Sequence, residues 1–480
     1  MTDPARTAAV VLAAGAGSRF GGAKLLAGLG GRSLLDHVLG AVRGAGLGAL
    51  VVVQGPDAGG LESIALARGA TIARNPDPTR GLSSSVQVGL AAVDGLDDHP
   101  AAGFEAVLVL LGDQPRASVA TIKALLAAGV PAGRSIVVPR YRGGGGPNPA
   151  LLLRPAWGLA GGLTGDRGFG PLIAGHPELV VEVDLAGDNP DVDTPTDLAS
   201  LAEAAWAAKV LANRAQVERI REVPDGLDFY APVRSMFRAD PTRADDPVLV
   251  VLLGQVQPAD RWLDVGAGAG RFALPLALAL RSSGGEVVAL DPSPSMLGSL
   301  REIAAEHRID NVRTVEARWP LDPARAEAGA QALAADVVLI AHVGYDVAEI
   351  GLFIAALEAA ARRSCIAVLM DRVPASASDP FWPLVHGQVR DPLPALPDFL
   401  DLLAARGKAP TVTRVPTPGR TFESRAALEG FVRRQLWIDS AGPSEARFQA
   451  ALDELAVTDD SGWLIAGRGQ NEIGVVAWRP

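Results

Sequence analysis

Residues 12–24 read LAAGAGSRFGGAK, and residues 263–272 read LDVGAGAGRF. Each is a glycine-rich turn set directly after a short apolar run, the pattern that carries a chain from the end of a β-strand into a helix. Around the first turn, runs rich in Val, Ile and Leu (8–13, 50–53, 106–111, 135–138 and 179–183) alternate with helix-like stretches. One such stretch has Ser33 as N-cap, Leu34, Leu35, Val38, Leu39 and Val42 at helical spacing, and a stop at Gly44 and Gly46. The alternation predicts βαβ units and a parallel or mostly parallel sheet covered by helices. Around the second turn RWLDVG, GEVVALD, VRTVEA, ADVVLIAHV and CIAVLMD repeat that grammar. The expected fold class is α/β, with two domains, each a Rossmann-like, mostly parallel sheet flanked by helices.

A chain of 480 residues, 48% hydrophobic and 20% charged, exceeds what one core usually supports, which agrees with two domains. Residues 196–221 have few helix breakers and end at VPDG, so the division expected is 1–205, a helical linker at 206–228, and 229–480. Residues 374–440, rich in proline and aromatics, read as an irregular or helical cap, and the tail WLIAGRGQNEIGVVAWRP as a closing β-hairpin of the second sheet. A net charge of -10 argues against broad binding to nucleic acid or to an anionic membrane, leaving small-molecule substrates as the expected partners. The N-terminal apolar run is too short to span a membrane and lacks the polar and cleavage regions of a signal peptide, so a cytoplasmic protein is expected. The lone Cys365 lies in the apolar run CIAVLM and reads as a buried strand residue in a reducing compartment. The six histidines, His37, His99, His176, His307, His342 and His386, lack metal-ligand spacing, so no zinc site is expected.

A glycine turn after a strand lets backbone N–H groups approach phosphate oxygens. In the first turn a Walker A loop fails twice, because Ala23 precedes Lys24 and Leu25 replaces the magnesium-binding hydroxyl. The dinucleotide fingerprint fails because Phe20 stands where its third glycine belongs. The pattern L-A-A-G-x-G-x-R-x-G-G-x-K instead resembles the signature of the MobA-like nucleotidyltransferases, most closely the molybdenum cofactor cytidylyltransferases. Five further blocks follow in order: NPDPTRGLSSSVQVGL (75–90), LVLLGDQP (108–115), GGGGPNPALL (143–152), LTGDRGFGPLI (163–173) and DVDTPTDL (191–198). The resemblance implies a nucleotide-diphospho-sugar-transferase-like fold and attack by an acceptor phosphate oxygen on the α-phosphorus of a nucleoside triphosphate, with pyrophosphate leaving. By the same resemblance, Asp113 and Asp193 hold Mg2+, Lys24 and Arg19 neutralise phosphates, and Leu12, Ala13, Ala14 and Gly15 meet the nucleotide through backbone. Gly81, Ser83, Ser84 and Ser85 then lie by the base, and Asn148 with Pro149, and Asp166 with Gly168, on the acceptor side. AAG in place of AGG implies CTP, with a molybdopterin-type cofactor as acceptor; GTP or another phosphorylated acceptor is the alternative. A molybdoenzyme or its chaperone is the implied recipient of the product.

The second turn satisfies G-x-G-x-x-A from Gly268 to Ala273, and Asp291 ends the next strand, so spacing alone leaves NAD open. Asp264, however, completes D-x-G-x-G-x-G with Gly266, Gly268 and Gly270, which resembles motif I of the class I S-adenosylmethionine-dependent methyltransferases. An acidic residue there suits a ligand carrying ammonium and sulfonium groups and repels a pyrophosphate. The resemblance implies that Asp291 accepts the ribose hydroxyls and that VEARW (315–319), with Glu316, flanks the adenine. Ala317 and Arg318 depart from the acidic residue common at that place. His342 is a candidate general base on the acceptor side and Tyr345 a candidate lining residue. Phe381, Trp382, Phe399, Arg433, Arg434 and Trp437 either select the acceptor or belong to a core helix. The alternative is a non-catalytic module that binds S-adenosylmethionine or NAD.

Overall fold

The computed structural model describes residues 1–15, 17–56, 58–96, 103–160, 162–166, 168–223, 237–321, 333–417, 420–460, 462–466 and 471–480. The chain divides into two compact units, Met1–Ser200 and Leu201–Pro480. Residues 224–228 of the expected linker, together with His99, lie outside the described residues.

In the first unit the strands are β1 (Thr7–Ala13), β2 (Ala49–Gln54), β3 (Thr71–Arg74), β4 (Ala106–Leu111), β5 (Ile136–Tyr141), β6 (Ala150–Leu153) and β7 (Val180–Leu185). They form one sheet in the order β3-β2-β1-β4-β6-β5-β7, parallel except for β6. All seven residues of β1 are buried, which is why its sequence is a continuous apolar run rather than an alternating one. Two apolar clusters cover the two faces: Ala9, Val11, Val52 and Leu108 point to one, and Val10, Val51, Val53 and Val107 to the other. The longer helices are α1 (Leu34–Ala45), α2 (Leu61–Ala67), α3 (Leu82–Asp94) and α4 (Val119–Ala127). As the sequence predicts, Ser33 caps α1, its Oγ accepting from the Asp36 N–H at 3.2 Å, and Gly46 closes it at φ 76°.

Helix α5 (Pro195–Ile220) leads into the second unit. Over its last two-thirds it packs within that unit: Trp206 stacks edge-on against Phe399 and donates from Nε1 to the Val347 carbonyl at 2.9 Å, and Lys209 pairs with Asp398 at 2.5 Å. Beyond it come α6 (Pro247–Leu253), α7 (Ala273–Leu280), α8 (Pro294–Glu306) and α9 (Ile350–Ala360). The strands are β8 (Arg261–Val265), β9 (Glu286–Asp291), β10 (Val312–Glu316), β11 (Ala335–Ala341), β12 (Ala361–Met370), β13 (Thr411–Thr417), β14 (Ala456–Asp459), β15 (Gly462–Ile465) and β16 (Asn471–Trp478). Their main sheet runs β10-β9-β8-β11-β12-β16-β13, with β16 antiparallel to both of its neighbours. The order reverses at β8, between β9 and β11, and in open α/β sheets a crevice for ligands opens at the carboxyl ends of the strands at such a point.

Two expectations need correction. The tail is not a hairpin of the main sheet: β15 pairs with β14 in a separate ribbon, and only β16 joins the main sheet, with β13 as its outer partner. The segment read as an irregular or helical cap therefore contributes an edge strand as well as helices. Phe381 and Trp382 are fully buried in a small apolar cluster with Phe431, Phe448 and Leu452, and Phe399 is buried elsewhere in the unit, so these aromatics are core and face no acceptor. Arg433 is held by Glu429, one turn back on its own helix, and by Glu445 at the start of the next helix. Cys365 is free and buried in β12, as its sequence context implies.

Candidate functional site

The carboxyl ends of β1 and β4 open onto a cavity of about 270 Å³ in the first unit. Leu12, Ala13, Ala14 and Gly15 line it from β1 and its turn, Gly81 and Ser85 from the start of α3, and Asp113, Asp191 and Asp193 from the turns after β4 and β7, with Asp166 beside them. Lys24 lies between two of the carboxylates, its Nζ 2.6 Å from Asp113 Oδ2 and 3.2 Å from Asp193 Oδ1. Arg19 reaches Asp193 Oδ2 at 3.0 Å from a side chain that is 73% exposed. Lys24, Arg19, Asp113 and Asp193 thus converge from three separated segments. Burial pulls the Lys24 ammonium down, but its hydrogen bonds and charge pairing with Asp113, then Asp193, outweigh it, and its pKa is raised. Asp191 is raised as well, by burial first and then by the Asp113 charge, against the hydrogen bond from Gln114.

Among the described residues no group of three or more His, Cys, Asp or Glu is placed to hold a metal ion. A two-carboxylate site nevertheless fits Mg2+, which is typically held by one or two carboxylates plus substrate phosphates and water. Asp113 Oδ1 is buried without a hydrogen-bond partner, which leaves an oxygen to donate. The residues present fit the ion on condition that a nucleotide completes its ligand set.

Other expected contact residues also make hydrogen bonds within the fold. Of the three serines only Ser85 lines the cavity; Ser84 and Ser85 both accept from Asn75 Nδ2 at 2.9 Å, and Ser84 Oγ donates to the Gly81 carbonyl at 2.8 Å. Ser83 is buried, and its N–H donates to the Gly165 carbonyl. Asp166 does line the cavity, yet its Oδ1 accepts from the Leu82 N–H at 3.1 Å and so caps α3. Asn148 is not among the residues lining the cavity: its carbonyl accepts from Tyr141 and from Asn189 Nδ2. Sequence reading missed the link that ties these turns together. Asn189 Nδ2 donates to Gln114 Oε1 at 3.1 Å, and Gln114 Nε2 to Asp191 Oδ1 at 2.8 Å, all between buried or half-buried side chains. Gln114 lies inside the quoted block LVLLGDQP, so the only available signal was a polar residue directly after Asp113.

In the second unit, Asp264, Asp291 and Glu316 come together at the carboxyl ends of the adjacent strands β8, β9 and β10, with Glu316 opposite Asp291 in register. Gly266, Gly268 and Gly270 have φ of 75°, 52° and 85°, which side-chain-bearing residues rarely adopt. The turn is fastened to β9: Gly266 and Ala267 donate to the Leu290 carbonyl, and Gly268 donates to Asp291 Oδ2 at 2.8 Å. Asp291 Oδ1 takes the Ser293 N–H at 2.8 Å, so this carboxylate holds the loop first and has only its remaining lone pairs for a diol. Asp264 is buried with Oδ1 unpartnered, and burial, then the Asp291 charge, pushes its carboxyl up to about 7. Glu316 is exposed at the rim. His342 follows β11 at φ 58°, with Nδ1 buried and unpartnered; burial, then the Arg271 charge, pushes its imidazole down to about 4 and keeps it neutral. Tyr345 is buried, and its hydroxyl accepts from the Met370 N–H at 2.8 Å, a structural contact. No helix among the described residues is long and apolar enough to cross a membrane.

The family model of the MobA-like NTP transferase domain matches residues 9–180, and that of a methyltransferase domain matches residues 263–365. The bifunctional protein GlmU of Mycolicibacterium vanbaalenii is 39% identical over 128 residues, 25% of each chain, so the match spans about a quarter of that relative's length. The crystal structure of an Rv0371c homologue from Mycobacterium sp. strain JC1 is 31% identical, covering 42% of this chain and 96% of that one, with a TM-score of 0.35. An S-adenosylmethionine-dependent methyltransferase from Geobacter sulfurreducens, solved with S-adenosyl-L-homocysteine, is 16% identical over 53% of this chain and 100% of that one, with a TM-score of 0.34. The chain joins a MobA-like NTP transferase domain, residues 9–180, to a methyltransferase domain, residues 263–365.

Proposed function

We propose that the first unit transfers CMP from CTP to the terminal phosphate of a molybdopterin-type cofactor, and that the second transfers a methyl group from S-adenosylmethionine. The observation that carries the first half is the convergence of Lys24, Arg19, Asp113 and Asp193 on one cavity beneath the Ala13–Gly15 backbone. In this reading the acceptor oxygen bonds to the α-phosphorus as the bond to the bridging oxygen breaks, and pyrophosphate departs with that electron pair. Lys24 and Arg19 face the phosphates and offset charge that builds on the leaving group. Backbone at residues 13–15 aligns the nucleotide for in-line displacement. Mg2+ at Asp113 and Asp193 would supply further charge neutralisation.

The test is magnesium-dependent pyrophosphate release from CTP or GTP with molybdenum cofactor as acceptor. Asp113→Ala should lower turnover by at least about 10²–10³-fold. Near wild-type turnover by that variant sinks the assignment, and equal release with GTP sinks the choice of CTP. The likeness to GlmU favours a second reading, in which the same chemistry serves a different phosphorylated acceptor. Release with such an acceptor but none with the pterin would establish it.

For the second unit the supporting observation is the grouping of Asp264, the glycine turn and Asp291 at the strand ends where the sheet order reverses. The methyl acceptor is unassigned. Glu316 at the rim, followed by Ala317 and Arg318, favours an alternative in which the unit binds S-adenosylmethionine without transferring its methyl group. Radiolabel transferred from S-adenosylmethionine to any component of a cell extract excludes the alternative.

A further inference from the structure

The first-unit cavity has four aspartates, Asp113, Asp166, Asp191 and Asp193, against two cations, Arg19 and Lys24. Both cations are already engaged. Lys24, with only 13% of its side chain exposed, bridges Asp113 and Asp193 at 2.6 Å and 3.2 Å, and Arg19 takes the second Asp193 oxygen at 3.0 Å. Asp113 Oδ1 is the carboxylate oxygen of this set that is buried and unpaired.

Each ligand arriving alone meets an obstacle. A divalent cation must displace the ammonium from Asp113 Oδ2 and Asp193 Oδ1, which leaves Lys24 charged and unpaired in a partly dry cavity, a costly outcome. A nucleoside triphosphate without a cation brings a polyanion against an excess of carboxylates. Arriving together, each removes the other's obstacle: the phosphates take Lys24 and Arg19, and the carboxylate oxygens so released take the cation.

We infer that Lys24 and Arg19 are a resident counter-ion clamp on Asp113 and Asp193, which suppresses metal binding without nucleotide and makes the divalent cation and the nucleoside triphosphate bind as a coupled pair. The inference rests on the nucleotidyl-transfer reading of this cavity and adds how its two ligands are ordered. Because coupling is reciprocal, the nucleotide tightens the metal by the same factor by which the metal tightens the nucleotide.

The experiment uses Mn2+ as a paramagnetic probe on the full chain, with free ion followed by electron paramagnetic resonance, with and without α,β-methylene-CTP, which cannot be cleaved. Wild type should bind Mn2+ weakly alone. Lys24→Met should bind Mn2+ alone at least about 5-fold more tightly than wild type, and should gain less from the analogue. Arg19→Gln, at a side chain too exposed to matter for folding, should shift in the same direction by a smaller factor. If neither variant binds Mn2+ alone more tightly than wild type, the clamp does not exist. If the variants behave as expected while no acceptor supports pyrophosphate release, the clamp stands and the transfer reading falls.

Discussion

Asp264 is a carboxyl group held where its own charge is disfavoured. Its unfolded-state value is 3.8 and its folded value about 7, with burial as the leading cause and Asp291 the next. Between those two pH values the folded protein keeps a proton that the unfolded chain has lost. Stability from this residue is therefore fully present below about pH 4 and declines until pH 7, where it is spent. Asp264→Asn, which keeps the shape and removes the titration, should match wild type at pH 4 and exceed it at pH 8 by about 4 kcal/mol in the second unit. Calorimetry across that range checks it, and equal stability at pH 8 refutes it. In the S-adenosylmethionine reading proposed above, an ammonium beside Asp264 would favour the ionised form. Affinity for S-adenosylhomocysteine should accordingly rise from pH 6 to pH 8 in wild type and stay flat and weak in Asp264→Asn, as read by titration calorimetry. A wild-type affinity that does not change with pH removes Asp264 from the ligand.

The two glycine turns make predictions at the level of the element. Gly266 and Gly268 both have positive φ, yet the space around them differs. A Cβ on Gly266 would lie 2.4 Å from Val343 Cγ2, a stiff β-branched neighbour, whereas on Gly268 the nearest side-chain atom would be Met296 Cε at 3.6 Å. Gly268→Ala should therefore cost only the left-handed backbone penalty, about 1–2 kcal/mol, and Gly266→Ala distinctly more. Chemical denaturation of both variants tests the order, and equal losses would mean that the turn relaxes away from Val343. In the first unit, Gly81 is tighter still: a Cβ there would fall 2.4 Å from the Gly165 carbonyl carbon and 2.9 Å from the Asp166 nitrogen. The same Asp166 caps α3, so Asp166→Ala should cost about 0.5–2 kcal/mol. These turns and the strands before them were legible because buried parallel strands read as unbroken apolar runs that end in glycine. Strand β13 was not legible, because Val415 is its one buried residue and its neighbours on an antiparallel edge carry no apolar alternation. Nor was the Asn189–Gln114–Asp191 chain, which joins segments about 75 residues apart and leaves no local pattern.

For the whole molecule the open question is which unit owns α5. Sequence marks it as a helix running out of the first domain and then a linker, because alanine-rich stretches with scattered charge look alike whether exposed or packed. In the structure its later residues have the contacts of a core element. Trp206 and Val210 are buried at 3% and 1% exposure, Asn213 donates to the Asp391 carbonyl at 2.5 Å, and Gln216 both donates to the Val389 carbonyl and accepts from the Asp391 N–H. All of these partners lie in the second unit. Loss of a buried Trp alone costs about 3–5 kcal/mol against a total stability of about 5–15 kcal/mol. A fragment of residues 229–480 should therefore melt at least about 6 °C below one of residues 195–480, since 1 kcal/mol moves the midpoint of a unit this size by about 2–4 °C. The longer fragment should also bind S-adenosylhomocysteine as the full chain does, because the glycine turn is fastened to β9 and to Asp291 by hydrogen bonds within the second unit. Equal melting of the two fragments would make α5 the tether that its composition suggests; unequal melting makes its last twenty residues part of the methyltransferase unit, whatever role the first unit has beside it.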